Sequence, residues 1–215
     1  MNQLKRYIVN SNQQVGYKNY LLKFDRDFDF VPGQVLGITT SLAIPCRYYS
    51  ICSANQNPDI HILYTVSTEG LLSPLLSKLK KGDALYVSSP RGNFTHIEPH
   101  SVCIAAGTGI APFYSILTSN SIAVQLIHGS GFYADLYGYN FFKTLLQETY
   151  IPCLSKETND KCNKGRVTDY LKNTATFDTD KKYYLCGSAE MVVECRDILV
   201  ECNIPFTNIS AEIYF

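Results

Sequence analysis

The sequence predicts two domains, an antiparallel β-barrel followed by a doubly wound α/β domain with a parallel sheet. The first half contains short segments of strand-forming residues, separated by turns rich in Gly, Pro, Asn and Asp. After Pro99 strands and helices alternate, which is typical of a parallel sheet. A chain of 215 residues also has room for two small domains. We therefore expect domains at residues 1–98 and 99–215.

The predicted barrel strands are short and regularly spaced, as in small antiparallel barrels. They cover residues 20–24, 35–39, 48–53, 61–66 and 84–88. One helix interrupts them at residues 71–79, where four leucines recur at helical spacing and are expected in the core: Leu72, Leu75, Leu76 and Leu79.

The second half contains short apolar runs, each followed by a helical segment. Such runs fit strands that are covered on both faces of a parallel sheet. The predicted strands are residues 101–106, 122–127, 151–154 and 182–186, and the predicted helices are residues 111–117, 141–148, 167–172 and 189–202.

The charge balance argues against several classes of partner. Lys and Arg together number 19, as do Asp and Glu, so no global field attracts nucleic acid or an anionic membrane. No apolar run approaches the ~18 residues of a membrane span, and MNQLKRYIVN lacks the apolar core of a secretion signal. We expect a cytoplasmic protein that binds neither nucleic acid nor membrane. The sequence leaves the oligomeric state open.

Cysteine spacing gives no sign of a metal site. The eight cysteines include no C-x-x-C pair and no Cys/His pair at zinc spacing. They also lack the close run that holds an iron–sulfur cluster. Reduced and mostly buried thiols are therefore expected.

Four consecutive residues, Arg47-Tyr48-Tyr49-Ser50, place a cation, two aromatic rings and a hydroxyl in the segment PCRYYSICSA, whose pattern is otherwise typical of a strand. Side chains alternate in a strand, so Arg47 and Tyr49 share one face while Tyr48 and Ser50 share the other. A flat, anionic cofactor could use both faces. The alternative is an ordinary strand in which Arg47 extends to solvent, since aromatic residues favour strands.

The turn Gly107-Thr108-Gly109-Ile110-Ala111-Pro112 follows the first strand of the second half and opens its first helix. Glycines let the backbone approach a ligand, and a helix N-terminus presents N–H groups to negative charge. These features indicate a nucleotide site. Pro112 stands where a dinucleotide fingerprint has its third glycine, and no acidic residue ends the next strand. A plain strand–turn–helix is the alternative.

Five motifs taken in order identify a family. From roughly Pro32 to Phe215 the chain resembles the ferredoxin–NADP reductase family, and it looks closest to the short bacterial ferredoxin/flavodoxin reductases. The motifs are RYYS, EGLLSPLLSKLKKGDALYVSSPRGNF, GTGIAP, LCGSAEMV and the terminal AEIYF. The resemblance implies an FAD-binding barrel followed by an NADP-binding α/β domain.

The resemblance assigns residues of the first domain to FAD. Arg47 is expected to contact the diphosphate, Tyr49 to pack on the isoalloxazine ring and Ser50 to bond near its reactive nitrogen. A guanidinium suits phosphate, and a tyrosine offers a flat apolar face with a polar tip. Tyr48 is assigned to the same site. The segment at Val66, Leu72 and Ser73 resembles the family's second phosphate-binding element, although Ser73 could also be an ordinary helix cap.

The resemblance also assigns the C-terminal residues. Glu212 and Tyr214 match the family's terminal acid and aromatic residue, with Tyr214 over the flavin until nicotinamide displaces it. Phe215 would extend over the cofactor. The alternative is a hydrophobic terminal strand.

NADPH is assigned to the second domain. Gly107, Thr108 and Gly109 of the glycine-rich turn, together with Cys186-Gly187, resemble the nicotinamide side, and Cys186 is expected where its strand ends. A buried strand cysteine is the alternative for Cys186. Ser155, Lys156 and Arg166 are expected to hold the 2′-phosphate. Gly131 stands where the bacterial members have an arginine, and lysine lacks the bidentate fork of arginine, so NADPH preference is expected to be weakened or differently built. A solvated loop is the alternative for the two cations.

The predicted function is hydride transfer from NADPH to FAD and passage of electrons to a ferredoxin or flavodoxin. Ser50, Cys186, Glu212 and Tyr214 are the expected catalytic residues. Two alternatives remain: an NADH-linked reductase that serves an oxygenase or free flavin, and a non-catalytic nucleotide-binding module.

Overall fold

The structure is a computed structural model that describes residues 4–214. It consists of two compact units. The first contains the described chain up to His96 together with Ala111–Asn120, and the second contains Ile97–Ile110 and the chain from Ser121 onward.

The first unit is a six-stranded antiparallel sheet that closes into a barrel. Its order is β4-β3-β6-β1-β2-β5. The edge strands meet where Ile51 forms a bridge with Ile62, and the N–H of Cys52 donates to the carbonyl of His61 at 2.8 Å. The antiparallel barrel prediction is therefore confirmed. The strands are β1 Lys5–Gln14, β2 Asn19–Asp25, β3 Val35–Thr39, β4 Arg47–Ser50, β5 Asp59–Thr65 and β6 Ala84–Val87.

Strand β1 is absent from the sequence-based prediction. Val9 is the one residue of this strand that is fully buried, and the register against β2 shifts between Val9 and Ser11. A β-bulge of this kind disrupts the two-residue periodicity from which strands are predicted. The polar stretch after Val9 therefore carries little strand signal, although it pairs with β2.

Two helices belong to the described part of the first unit, α1 Ser73–Leu76 and α2 Ala111–Ser119. Helix α1 is shorter than the predicted segment 71–79, because after Ser77 the chain continues through hydrogen bonds between residues three apart. Leu72 and Leu76 are buried in the barrel core, as expected, and Leu79 is partly buried against it. Leu75, also expected in the core, is only half-buried. Helix α2 is attached to the barrel by Ser115, whose hydroxyl donates to the carbonyl of Ser53 at 2.6 Å.

The second unit is a parallel sheet of order β10-β9-β8-β7-β11-β12. This confirms the doubly wound α/β prediction. The strand order runs outward from β7 in both directions, which creates a switch point between β7 and β11 where ligands of such folds bind. Its strands are β7 Val102–Ala106, β8 Gln125–Ser130, β9 Tyr150–Leu154, β10 Asn163–Lys164, β11 Tyr183–Ser188 and β12 Ile209–Tyr214, and its helices are α3 Tyr139–Leu146, α4 Val167–Lys172 and α5 Ala189–Glu201.

Helices α4 and α5 cover the sheet with their apolar side chains. Val167 and Leu171 of α4 and Leu199 of α5 pack with the strand residues Ile104 and Leu185 in one buried cluster. Among residues 4–214, no helix combines the length and the apolar character needed to cross a membrane.

Candidate nucleotide sites

Strand β4 carries the four residues that the sequence singled out. Arg47 is exposed, Tyr49 is half-buried and Ser50 is buried. Tyr49 packs against the barrel core, with its ring edge-on to Tyr64 at 6.2 Å between centroids. Burial raises the pKa of Tyr49 to about 12, partly offset by the nearby charge of Arg47. Within four residues, the strand therefore presents a cation, a neutral phenol ring and a hydroxyl.

Tyr48 is held by a residue that sequence reasoning missed. A guanidinium nitrogen of Arg91 donates to the Tyr48 hydroxyl at 2.8 Å, and the guanidinium carbon lies 4.9 Å from the centre of the Tyr48 ring. Gly37 pairs with Tyr48 across β3 and β4, and a Cβ at Gly37 would lie 3.1 Å from the ring. The motif SSPRGNF contributed to the family resemblance, and its arginine was the available signal for this contact.

The segment from Val66 to Ser73 forms a closed loop before α1. The Ser73 hydroxyl accepts a hydrogen bond from the N–H of Ser67 at 3.0 Å. Ser73 is therefore not a helix cap, and the cap position is occupied by Leu72, which makes no side-chain cap bond. No described residue accepts a hydrogen bond from the N–H of Leu72 or Ser73. Two adjacent donors at this turn suit a phosphate oxygen.

Asn12 and Tyr64 attach α1 to the barrel. The Tyr64 hydroxyl donates to the Asn12 side-chain carbonyl at 3.0 Å, and the Asn12 amide donates to the carbonyl of Leu76 at 2.8 Å. Since Tyr64 also contacts Tyr49, these bonds join the two parts of the predicted FAD site, β4 and the loop before α1, within one unit.

The glycine-rich turn packs directly on strand β11. A Cβ at Gly109 would lie 2.2 Å from the carbonyl oxygen of Cys186, so only glycine permits this approach. Gly107 has a φ of +56°, and a Cβ there would meet nothing within 4 Å. Gly109 therefore meets a packing requirement, whereas Gly107 is left beside open space where a ligand can approach. Thr108 between them is half-buried.

Cys186 lies inside β11 rather than at its end, because the strand continues to Ser188. It pairs with Ala105 of β7 and with Glu212 of β12. Its side chain is fully buried, and this burial raises the pKa of the thiol well above its ordinary value. Cys186 is therefore a neutral thiol, and its assignment to nicotinamide stays a prediction.

The terminal strand β12 extends the sheet. Glu212 is half-buried opposite Cys186, and Tyr214 pairs with Ser188. The Ser188 hydroxyl accepts from the N–H of Met191 and so caps helix α5. The prediction for Phe215 lies outside the described residues.

A crevice of about 260 Å³ lies at the carboxyl ends of β7, β8, β9 and β11. Three residues predicted to bind NADPH line it, namely Gly107, Ser155 and Arg166, together with Gly131. Lys156 is outside this lining, and its ammonium lies 5.9 Å from the centre of the Phe132 ring.

The crevice also contains two carboxylates that sequence reasoning missed, Glu190 and Glu194 of α5. The LCGSAEMV motif was the available signal for Glu190. The crevice is thus a concave site at the edge where parallel sheets bind nucleotides, and two of the predicted phosphate ligands, Ser155 and Arg166, line it.

Comparisons with known proteins agree with these two folds. Residues 103–197 match the family model of the oxidoreductase NAD-binding domain. A ferredoxin–NADP reductase of Pseudomonas aeruginosa is 28% identical over 184 residues, a match that covers 71% of this chain and 70% of that protein. Residues 103–197 thus form an oxidoreductase NAD-binding domain, and the chain is similar to ferredoxin–NADP reductases in sequence and in fold.

Other relatives show the breadth of this similarity. The reductase component of propane 2-monooxygenase from Mycolicibacterium smegmatis is 29% identical over 185 residues, covering 77% of this chain and 53% of that protein. The chain therefore matches only about half the length of that relative. The structure of a ferredoxin NADP+ reductase from Neisseria gonorrhoeae with bound FAD and NADP shares the fold, with a TM-score of 0.89 at 22% identity over 100% of both chains.

Proposed function

We propose that this chain is an FAD-dependent reductase that takes hydride from NADPH and passes electrons to a ferredoxin or flavodoxin. The observation that carries the proposal is strand β4, which presents Arg47, Tyr49 and Ser50 in a chain that shares the fold of a ferredoxin NADP+ reductase. FAD, when bound, supplies the redox chemistry by accepting a two-electron hydride and releasing electrons one at a time.

The first unit has the donor set that FAD needs. The exposed guanidinium of Arg47 can pair with a diphosphate oxygen, which is the anion for which its geometry is suited. The N–H groups of Leu72 and Ser73, next to Val66, would bind the second phosphate. Tyr49, fixed by the barrel core, offers its ring to a flat cofactor, and Ser50 offers a hydroxyl. Tyr48, fixed by Arg91, completes this set.

The second unit would orient the coenzyme. Gly107 leaves the backbone accessible, Thr108 offers a hydroxyl beside it, and Gly109 keeps the turn against β11. Cys186, Gly187, Glu212 and Tyr214 are proposed for the reacting end of the coenzyme and flavin. The neutral thiol of Cys186 would contribute shape and polarisability rather than charge.

The 2′-phosphate end is proposed for Ser155, Lys156 and Arg166. Arg166 lies in the crevice, and its side chain is 66% exposed, so its guanidinium can reach a ligand. Ser155 is fixed at the end of β9 by its N–H, which donates to the carbonyl of Ser130 at 3.0 Å. Lysine at position 156 would act as a point charge.

The test is cofactor binding followed by turnover. The purified chain is titrated with FAD, and the absorbance of the bound flavin is followed while NADPH is added without oxygen. Bleaching of the flavin, followed by reduction of ferricyanide and then of a ferredoxin or flavodoxin, is expected. A chain that binds no FAD, or binds it without NAD(P)H-dependent reduction, refutes the proposal.

A second candidate is an NADH-linked reductase that serves an oxygenase. The similarity to the reductase component of propane 2-monooxygenase favours it. So does Gly131, which provides no cation in the crevice. The ferricyanide assay separates the candidates, because the first predicts a higher kcat/KM with NADPH and the second a higher kcat/KM with NADH.

A further inference from the structure

We infer that Glu190 is a specificity-determining residue, which lowers the preference of the crevice for a coenzyme that carries a 2′-phosphate. This inference rests on the proposed function, because it concerns the adenosine end of the same nicotinamide nucleotide. Glu190 and Arg166 both line the crevice, one at the start of α5 and the other just before α4. A carboxylate oxygen of Glu190 lies 4.0 Å from a guanidinium nitrogen of Arg166.

The charges around the crevice do not favour a phosphate. Among the described residues that line it, Arg166 is the one Lys or Arg, and two carboxylates, Glu190 and Glu194, line it as well. Lys172 lies nearby but pairs with Glu194 at 2.6 Å, and Lys156 lies against Phe132. Arg166 and Lys172 are thus paired with carboxylates of α5, while Lys156 lies outside the lining with its aliphatic chain beside Gly131.

The Glu190–Arg166 pair is weak enough to be displaced. The side chains are 84% and 66% exposed, and pairs of this kind in water contribute little. A 2′-phosphate could take the guanidinium, but Glu190 would then lie next to an anion of about −2 charge. A ribose 2′-hydroxyl has no charge and can donate to a carboxylate, which is how acidic residues favour NAD in other nucleotide folds. Glu190 therefore weakens the binding of NADPH and strengthens the binding of NADH.

Glu194 provides a matched control on the same helix. It lies one helical turn after Glu190, lines the same crevice and is held by Lys172 instead of Arg166. Replacing either glutamate by glutamine removes one negative charge and keeps the shape of the side chain. Both side chains are at least 35% exposed, so neither variant disturbs the core.

The experiment measures binding of adenosine 2′,5′-bisphosphate and of 5′-AMP to the FAD-loaded protein by calorimetry. These probes differ by the 2′-phosphate alone and need no turnover. Glu190→Gln is expected to raise the ratio of affinities, bisphosphate over 5′-AMP, by about three- to fivefold at low salt. Glu194→Gln should raise it by less than about half as much. Added salt should shrink the Glu190→Gln effect. Measured against Arg166→Gln alone, the double variant Glu190→Gln/Arg166→Gln should show a smaller rise in this ratio than Glu190→Gln shows against the wild type, because the part of the effect that comes from the Arg166 pair is lost.

The outcomes distinguish this inference from the proposed function. If the wild-type chain binds neither probe, the nucleotide function itself fails and the inference fails with it. If it binds at least one probe but Glu190→Gln leaves the ratio unchanged, only the inference is overturned. An equal rise in Glu190→Gln and Glu194→Gln also overturns it, because the effect would then come from the net charge of α5 rather than from the Arg166 pair.

Discussion

Replacing Gly109 by alanine tests the packing of the glycine-rich turn against β11. The new Cβ would lie 2.2 Å from the carbonyl oxygen of Cys186, 2.6 Å from its carbonyl carbon and 2.8 Å from the Cα of Gly187. All three are backbone atoms, so no side-chain rotation relieves the overlap. To reach the 3.0 Å limit of real Cβ contacts, the turn must move away from the oxygen by roughly 0.8 Å (3.0 minus 2.2). Overpacking of this kind costs about 1–3 kcal/mol, and fixed backbone neighbours place this case near about 3 kcal/mol.

Alanine substitutions at Gly107 and Gly131 distinguish the steric overlap of a new Cβ from the strain of a positive φ. At Gly107 a Cβ meets nothing within 4 Å, but the φ of +56° makes alanine cost about 1–2 kcal/mol. At Gly131 a Cβ would meet only the flexible chain of Lys156, at 3.5 Å, so alanine should be nearly neutral. We expect the free energy of unfolding, measured by urea and circular dichroism, to fall most for Gly109→Ala and least for Gly131→Ala. A loss in Gly109→Ala no larger than that in Gly131→Ala would refute the packing argument.

Three further predictions concern binding and stability. Arg47→Ala should weaken FAD binding by at least about tenfold, because a charge-assisted hydrogen bond is lost. Ser50→Ala should keep the flavin but slow its reduction by NADPH, measured by stopped flow. Equal effects of the two variants on FAD binding and on flavin reduction would contradict these roles. Lys156→Ala and Arg166→Ala should each raise the Kd for NADPH more than the Kd for NADH, and unchanged NADPH affinity in both would refute the phosphate assignment. Burial lowers the pKa of His128 from 6.5 to about 3, so the unfolded chain binds its proton more readily. The stability that depends on a neutral His128 is complete above pH 6.5 and falls by up to about 1.4 kcal/mol per pH unit between pH 6.5 and about 3. His128→Gln should flatten this dependence when urea unfolding is measured at several pH values.

His128 is a buried polar residue whose side chain packs among aromatic residues of the second unit. Its Nδ1 lies 3.0 Å from the Tyr150 hydroxyl, and its ring packs edge-on to Phe142. His128, Gly129 and Ser130 end β8, the strand whose end lacks the acidic residue of a dinucleotide fingerprint. The structure places its histidine in an aromatic core, outside the crevice lining.

Local periodicity was sufficient to predict most elements. Residues 35–39 and 167–172 are the strand β3 and the helix α4 with the predicted bounds, because turns or charged residues end their apolar patterns sharply. The change from spaced strands to alternating strands and helices was sufficient to predict an antiparallel barrel followed by a parallel sheet. The order of the five motifs predicted the family, since each motif combines residue types that a plain strand or turn does not require together.

The sequence by itself thus determined the two folds, the resemblance to ferredoxin–NADP reductases and the strand that carries Arg47, Tyr49 and Ser50, because these depend on patterns within a few residues. Tertiary structure alone decided that Arg91 fixes Tyr48, that Gly109 is required by Cys186 and that Glu190 faces Arg166. Each of these contacts joins residues more than about twenty positions apart, and no local pattern specifies which distant strand or helix supplies the partner.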